Sequence, residues 1–511
     1  MRDERGIEHM NIRKNGVLYL TMMLGGVILC CLVYDNLVHL DTRINSDFAA
    51  QIVLADIIKD TYQILPAEWN FSTEIHLSFA TLFSAVLLNI FSDWTTCYMI
   101  SNILTYILLA ICVLKVCRAL EIKDLWAIGI VIGILAPVSE GILYYFHVGN
   151  EYMTYAIYQI IFVILWLRIK EKPHIDMSLA LYAVWSLFLG MMGFRYVMTC
   201  FAPVALIEVY AFCKGDKKSI NMAALFGVGV GGIGILLNRY ILSGIYTVKE
   251  HTNRYFKDIS DIPERITRSL KSVIALFGYV QNGRLLSWQG MINILSLFLF
   301  VICICALVYC IRRSGTLPVR MKDYTYLVLS GVVVDAFIVI FTCEDENPLN
   351  DIAGKYFILS IILFGPLIAR YISDRKRNTG ILQVVVLCVY LVLSSSYAVT
   401  RDISGGKKKD SIDCIDHLKE EGVLYGYSTF WQGNINQFYS DGQIVISPTG
   451  NFETFDLLRH ISSTRQYEAV QDQEKYFIWL TMEENESWKE RITNVVKSYS
   501  NDRYMIYICE R

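Results

Sequence analysis

The residues able to do chemistry gather between the apolar runs of this chain rather than within them. The richest stretch is DTRINSDFAAQIVLADIIKDTYQILPAEWNFSTEIH, residues 41–76. Residues 46–60 carry a helical pattern, and Asp47 stands at its start. Two readings are open there. Ser46 or Asp47 can cap the helix, because a side-chain oxygen satisfies orphan amides. Alternatively, Asp47 is a carboxylate held at a membrane surface, where a pocket wall raises its pKa toward working pH and makes it a general base.

Further polar groups punctuate later loops. His147, Asn150 and Glu151 share the tight turn HVGNEY, where solvated turn chemistry competes with function. Arg195 and Lys355 sit at the ends of apolar runs, either snorkelling to the interface or binding a lipid phosphate. Tyr356 follows Lys355. Glu344, Asp345, Glu346 and Asp351 form an acidic loop that is either solvated or a divalent-cation site, since hard cations take oxygen ligands. Asp335 lies inside an apolar run, where carboxylates are expensive and either functional or hydrogen-bonded. The run GVGVGGIG (227–234) contains GxGxxG but no flanking strand–helix unit. Close helix packing through Gly227 and Gly231 is the reading it supports.

The elements that must position these groups are membrane spans. The 511 residues are 54% hydrophobic and only 18% charged, against roughly 25% charge in an average soluble chain. That excludes a soluble enzyme, a secreted disulfide scaffold and a disordered protein. The net charge of −2 lacks the basic surplus of a nucleic-acid binder. Most of the 14 cysteines lie in apolar runs, as small buried hydrophobes. Eleven spans are expected, near 16–34, 95–115, 125–146, 152–168, 178–194, 196–213, 219–240, 288–311, 324–342, 356–372 and 378–399. The first is a retained transmembrane helix.

Segment 76–92 is apolar but short. If it lies flat, as an interfacial helix, every Lys/Arg island falls on one side of the membrane. The islands are Arg2/Arg5/Arg13/Lys14, Lys115/Arg118/Lys123, Arg168/Lys170/Lys172, Lys214/Lys217/Lys218, Arg312/Arg313/Arg320/Lys322 and Arg370/Arg375/Lys376/Arg377. The positive-inside rule makes that side cytoplasmic. The N-terminus is then cytoplasmic, in a multi-pass plasma-membrane protein. The loops 35–75, 147–152, 193–196, 241–287 and 343–351 are then outside, and so is the polar tail 402–511. The tail follows a Gly-Gly-Lys linker and mixes helical stretches (411–421, 483–497) with strand-like ones (476–480, 504–508). The expected architecture is an α-helical polytopic membrane module, 1–401, with a small extracytoplasmic α/β domain, 402–511.

A single span followed by an outer loop with an early Asp and an interfacial helix resembles the GT-C glycosyltransferases. SDFAAQIVLADIIKDTYQILPAEWNFSTEIHLSFATLFSAVLLNIFSDW (46–94) looks like the first loop of bacterial members. GKYF (354–357) resembles their late basic-Tyr motif, and GYSTFWQGNINQFYSDGQIVISP (426–448) is similar to outer tails of such proteins in Gram-positive bacteria. The likeness is distant, in the direction of aminoarabinose transferases and protein mannosyltransferases. The chain lacks the Asp-Glu pair of the latter and any WWDYG-type motif.

The resemblance implies a membrane enzyme moving a hexosyl or pentosyl group from a polyprenyl-phosphate sugar to a cell-envelope glycan. It implies Asp47 as the base that deprotonates the acceptor, and inversion at the anomeric carbon. It implies Arg195, Lys355 or a divalent cation holding the phosphate, and Glu151, His147 and Tyr356 in the binding site. The tail aromatics Tyr425, Tyr427, Phe430 and Trp431 either stack on sugar rings or fill the tail's core. The competing functions are a transporter or flippase of lipid-linked sugars and a non-catalytic subunit of envelope assembly.

Overall fold

A computed structural model describes residues 2–72, 74–171, 176–214, 221–246, 255–256, 258–281, 283–343, 353–401 and 407–511. Among them, seven helices are long and apolar enough to cross a membrane: Tyr19–Val38, Trp94–Ala119, Glu151–Glu171, Met222–Tyr246, Trp288–Arg312, Val319–Phe341 and Thr379–Thr400. Four shorter apolar helices, Asp124–Leu135, Met177–Met192, Val197–Cys213 and Ile358–Ser373, fall within the other expected segments, so seven of the eleven expected spans are met by a helix of full crossing length among the described residues. The result is a polytopic α-helical membrane protein with a small C-terminal α/β domain. Helix Glu151–Glu171 is its central post, buried along nearly its whole length.

Segment 76–92 folds into a helix only over Phe79–Leu87. Nine residues rise about 13 Å, less than half of the ~30 Å hydrocarbon core, so this helix cannot cross a bilayer. Ser78 caps it by accepting from the Thr81 amide. The glycine run packs helix on helix. A Cβ on Gly190 would meet the Gly231 carbonyl at 2.1 Å, and one on Gly227 would meet the Tyr182 ring at 2.1 Å. The missing side chains let Met222–Leu237 approach Met177–Met192 to backbone contact.

Three expectations need correction. Residues 241–287 are not simply a loop, because Ile262–Leu276 is an amphipathic helix. Its Arg265 donates to the main-chain carbonyls of Ile340 (2.7 Å), Val339 (2.5 Å) and Thr342 (2.5 Å), which closes the end of the helix Val319–Phe341. Ile266 and Leu270 face outward from it. In the tail, the helix near 483–497 stops at Trp488, and Val495–Ser500 is a strand, where adjacent valines favour extended backbone. The Asp47 helix, Ser46–Thr61, is capped by neither Ser46 nor Asp47. Asn45 caps it by accepting from the Phe48 amide at 2.9 Å.

The tail sheet has five strands in the order Val445–Pro448, Tyr425–Ser428, Lys475–Thr481, Tyr504–Glu510, Val495–Ser500. The first three are parallel and the last two antiparallel. Apolar clusters fill both faces, one around Trp479 and Ile506, the other around Tyr427 and Ile478.

The tail is bonded to the first loop. Ser46 Oγ donates to the Phe430 carbonyl (2.5 Å), and Tyr439 Oη to the Asp41 carbonyl (2.9 Å). Trp69–Asn70 pairs antiparallel with Ser462–Ser463. Arg43, buried against Asp35 at 2.8 Å, donates to the carbonyls of Ala398, Val399 and Arg401 and fastens the same loop to the end of the last long helix.

Candidate active site

The Asp47 helix lies between the tail helix Phe430–Tyr439 on one side and the turn before Glu151 on the other. Gln51, one turn past Asp47, donates to the Gly149 carbonyl (2.6 Å) and accepts from Ser78 Oγ (2.5 Å). Phe48 packs against Gly149, where a Cβ would meet its ring at 2.4 Å. Asn150 takes a positive φ of 55°, a conformation that asparagine tolerates better than most residues. Its amide donates to Asn102 (2.8 Å), which donates to Asn36 (3.2 Å). The HVGNEY turn is therefore a buried, bonded corner and not a solvated one.

This corner delivers Glu151 to Asp47. Burial raises the Asp47 carboxyl to about 6, the Glu151 charge adds to the rise, and Lys355 opposes it. Tyr155 donates to Glu151 at 2.8 Å. Three sequence-predicted residues, Asp47, Glu151 and Lys355, thus face one another although more than 300 positions separate the first from the last. Tyr356 is beside them, with the Lys355 ammonium 5.8 Å from its ring and 5.8 Å from that of Tyr145.

Arg195 joins the cluster from the Glu151 side. Its guanidinium lies 4.2 Å over Tyr155 and 5.0 Å over Tyr152. Both its Nε and its main-chain amide donate to Glu74, at 3.3 and 3.2 Å. Gly193, at φ +143°, makes room for that carboxylate, since a Cβ would meet the Glu74 side chain at 2.7 Å. His76 packs edge-on to Tyr155 at 4.8 Å, and neither ring nitrogen has a hydrogen-bond partner among the described residues. Burial holds His76 below its ordinary pKa, and Arg195 adds to this against the pull of Glu151 and Glu74.

Glu74 and His76 were not singled out from the sequence. They stand in the first loop as STEIH, and nothing in their spacing sets them apart. His147 goes elsewhere. Its ring is buried against Tyr106 (5.6 Å) and Phe146 (5.3 Å), apart from the carboxylate cluster. Asp335 is also separate and buried, accepting from Ser360 Oγ at 2.5 Å, as the hydrogen-bonded reading expects. Glu344, Asp345, Glu346 and Asp351 lie outside the described residues. Among the described residues no three His, Cys, Asp or Glu side chains converge as a metal site. Tyr427 faces the tail's own core, whereas Trp431 is exposed.

Two cavities meet beside the cluster. One, about 550 Å³, is polar and is lined by Lys355, Tyr145, Arg268, Lys271, Arg401 and Glu140. The other, about 270 Å³, is apolar and runs between the helices past Trp126, Ile130, Leu299 and Phe364. Val138 and Leu276 line both.

No family model and no curated protein matches the chain. Solved structures do, among them two of one protein. ArnT from Cupriavidus metallidurans in the apo state superposes with a TM-score of 0.58 at 11% identity, covering 95% of this chain and 97% of that one. The same protein bound to undecaprenyl phosphate gives 0.57 at 10% identity, with the same coverage. The fold is that of ArnT. The ArnT-like arrangement extends over both the helical module and the tail, and at this identity the likeness is one of fold.

Proposed function

We propose that this protein is an inverting GT-C-type glycosyltransferase of the plasma membrane. In this reading it transfers a hexosyl or pentosyl unit from a polyprenyl-phosphate donor to a cell-envelope glycan on the outer face. The observation that carries it is the opposition of Asp47, a half-buried carboxylate raised to about 6, to Lys355, which lines the polar cavity. A base needs a pKa near working pH, and a departing phosphate needs a fixed cation. The neighbouring apolar cavity suits a prenyl chain, and the ArnT neighbour is one that binds undecaprenyl phosphate.

The reaction proceeds in one displacement. Asp47 takes the proton of the acceptor hydroxyl. The oxygen attacks the anomeric carbon as the carbon–oxygen bond to phosphate breaks, and polyprenyl phosphate leaves with the electron pair. Lys355 balances the growing phosphate charge. Arg195 is already shared by Glu74 and two tyrosine faces, so its part is to balance the Glu151 charge rather than to meet the phosphate. Glu151 repels the Asp47 charge and so keeps it basic. The Lys/Arg islands support an outer location for this end of the bundle. Any divalent cation would belong to the loop 344–351.

The test compares envelope polysaccharide from cells carrying wild type or Asp47→Asn at equal membrane levels. Loss of one sugar substituent is expected, with transfer reduced by about 10²–10⁴-fold. An unchanged envelope overturns the role of Asp47. Movement of lipid-linked sugar across sealed vesicles without a glycosidic bond being made would point to a transporter instead.

A further inference from the structure

We infer that the C-terminal domain carries a binding subsite for the acceptor, with Trp431 as a platform on which a sugar ring of the acceptor glycan stacks beside Asp47. This rests on the transferase reading above and adds the acceptor's side of the same site.

Trp431 is the second residue of the tail helix Phe430–Tyr439, the helix packed against Ser46–Thr61. The Phe430 carbonyl accepts from Ser46, and Ser46 precedes Asp47. Chain geometry therefore keeps the Cα atoms of Asp47 and Trp431 within about 15 Å of each other, at 3.8 Å per residue step. The two neighbours on the tail helix behave oppositely. Phe430 is 8% exposed and Trp431 57%. The indole stands edge to face on Phe430 at 5.2 Å, and Phe430 in turn contacts the His460 ring at 5.1 Å. Trp431 is thus held at its base while its ring stays open. An indole left in water forgoes the burial that stabilises other tail aromatics, such as Trp479 and Tyr427. Core packing does not account for it.

The chemistry of an exposed indole selects the occupant. It offers a flat, weakly negative face and one N–H. A pyranose ring presents a flat array of C–H groups on one face and hydroxyls at its rim, and matches both. The position selects the acceptor over the donor. Lys355 acts on the Asp47 carboxylate together with Glu151 and also lines the polar cavity, whereas Trp431 lies on the side to which Ser46 points. Inverting displacement brings the attacking group and the leaving group to opposite faces of the anomeric carbon. Donor phosphate at Lys355 therefore leaves the Trp431 side for the acceptor.

The test uses full-length protein in nanodiscs. The probe is envelope polysaccharide extracted from cells that lack this protein, so that unmodified acceptor is present whatever the activity of Asp47→Asn. Binding is read in the Asp47→Asn background, where no turnover is required. Trp431→Ala is expected to weaken polysaccharide binding and raise the acceptor KM about tenfold. Trp431→Phe retains most of the binding, and the donor KM does not change. An unchanged acceptor KM in Trp431→Ala overturns the subsite, as does an equal loss in the Ala and Phe variants at unaltered thermal stability. A loss of vesicle association without a loss of polysaccharide binding also overturns it, by making Trp431 a membrane anchor. Because binding is measured without transfer, failure of the transferase reading, seen as full activity in Asp47→Asn, is separable from failure of the subsite.

Discussion

Ser46 donates its hydroxyl proton to the main-chain carbonyl of Phe430 at 2.5 Å, joining the residue before Asp47 to a domain almost 400 positions away. Both groups are buried. Asp41 reinforces the contact, with its carbonyl accepting from Tyr439 and its carboxylate paired with Lys408. The tail therefore braces the helix that carries the candidate base. Ser46→Ala removes this bond, while the Phe430 carbonyl, at the start of its helix, keeps its intrahelical place, at a cost of about 1 kcal/mol. Thermal unfolding of the full chain is expected to shift down accordingly, and kcat to fall more than the donor KM rises. An unshifted melting temperature would show that the brace does not act through this bond.

The pH dependence follows from the direction of the Asp47 shift. Its carboxyl is raised to about 6 by burial first and by Glu151 second, with Lys355 acting against both. The working form of a base is the ionised one, so activity is retained above that value and lost as pH falls through it. The logarithm of kcat/KM is expected to be flat above about pH 7 and to drop one unit per pH unit well below 6, as for any single titrating base. Glu151→Gln moves the acid limb to lower pH and Lys355→Met moves it to higher pH. Limbs that stay in place in both variants would assign the titration to another group.

Arg195 depends on Glu74 in a way that stability measurements can read. The pair is 3.3 Å apart, and both side chains are less than one-fifth exposed. Glu74→Gln leaves a largely buried guanidinium with its tyrosine faces and Glu151 but without its closest carboxylate, which costs about 3 kcal/mol. Arg195→Lys is not expected to rescue the site, because an ammonium cannot lie flat across Tyr152 and Tyr155 while bonding Glu74. The readout is the melting temperature of each variant, together with the position of its acid limb.

The parts of this fold that were legible in the sequence are those set by long-range averages. Apolar runs and alternating charge islands mark the spans, since a bilayer acts on every residue in them. The glycine run was also legible, because small residues at helical spacing have one use inside a membrane. What escaped was decided by tertiary neighbours. The stretch Asn45-Ser46-Asp47 offers three good caps in succession, and only the packing of Ser46 on the tail and the turning of Asp47 toward Glu151 leave Asn45 for the task. His147 looks like a polar turn residue until the Asn36–Asn102–Asn150 chain draws the whole corner inside. Ile262–Leu276 was masked by its own amphipathy, since Glu264, Arg265, Arg268 and Lys271, interleaved with its apolar residues, lower the mean hydropathy to that of a loop. Glu74 and His76 acquire meaning only when Arg195 and Glu151 arrive from other helices.

The contact between helices Met177–Met192 and Met222–Leu237 provides a test of the fold that leaves the carboxylate cluster untouched. Gly190 and Gly234 face each other at backbone distance. A Cβ on Gly234 would lie 2.4 Å from the Leu187 carbonyl, and one on Gly190 would lie 2.1 Å from that of Gly231. Neither obstacle is a flexible side chain, so relief requires the helices to separate. Gly190→Leu is expected to destabilise by more than the 1–3 kcal/mol typical of overpacking, whereas Gly229→Leu, with open space around its Cβ, is expected to be tolerated. Thermal stability of the two variants in detergent would check this, and equal behaviour would mean that the two helices do not pack through these glycines.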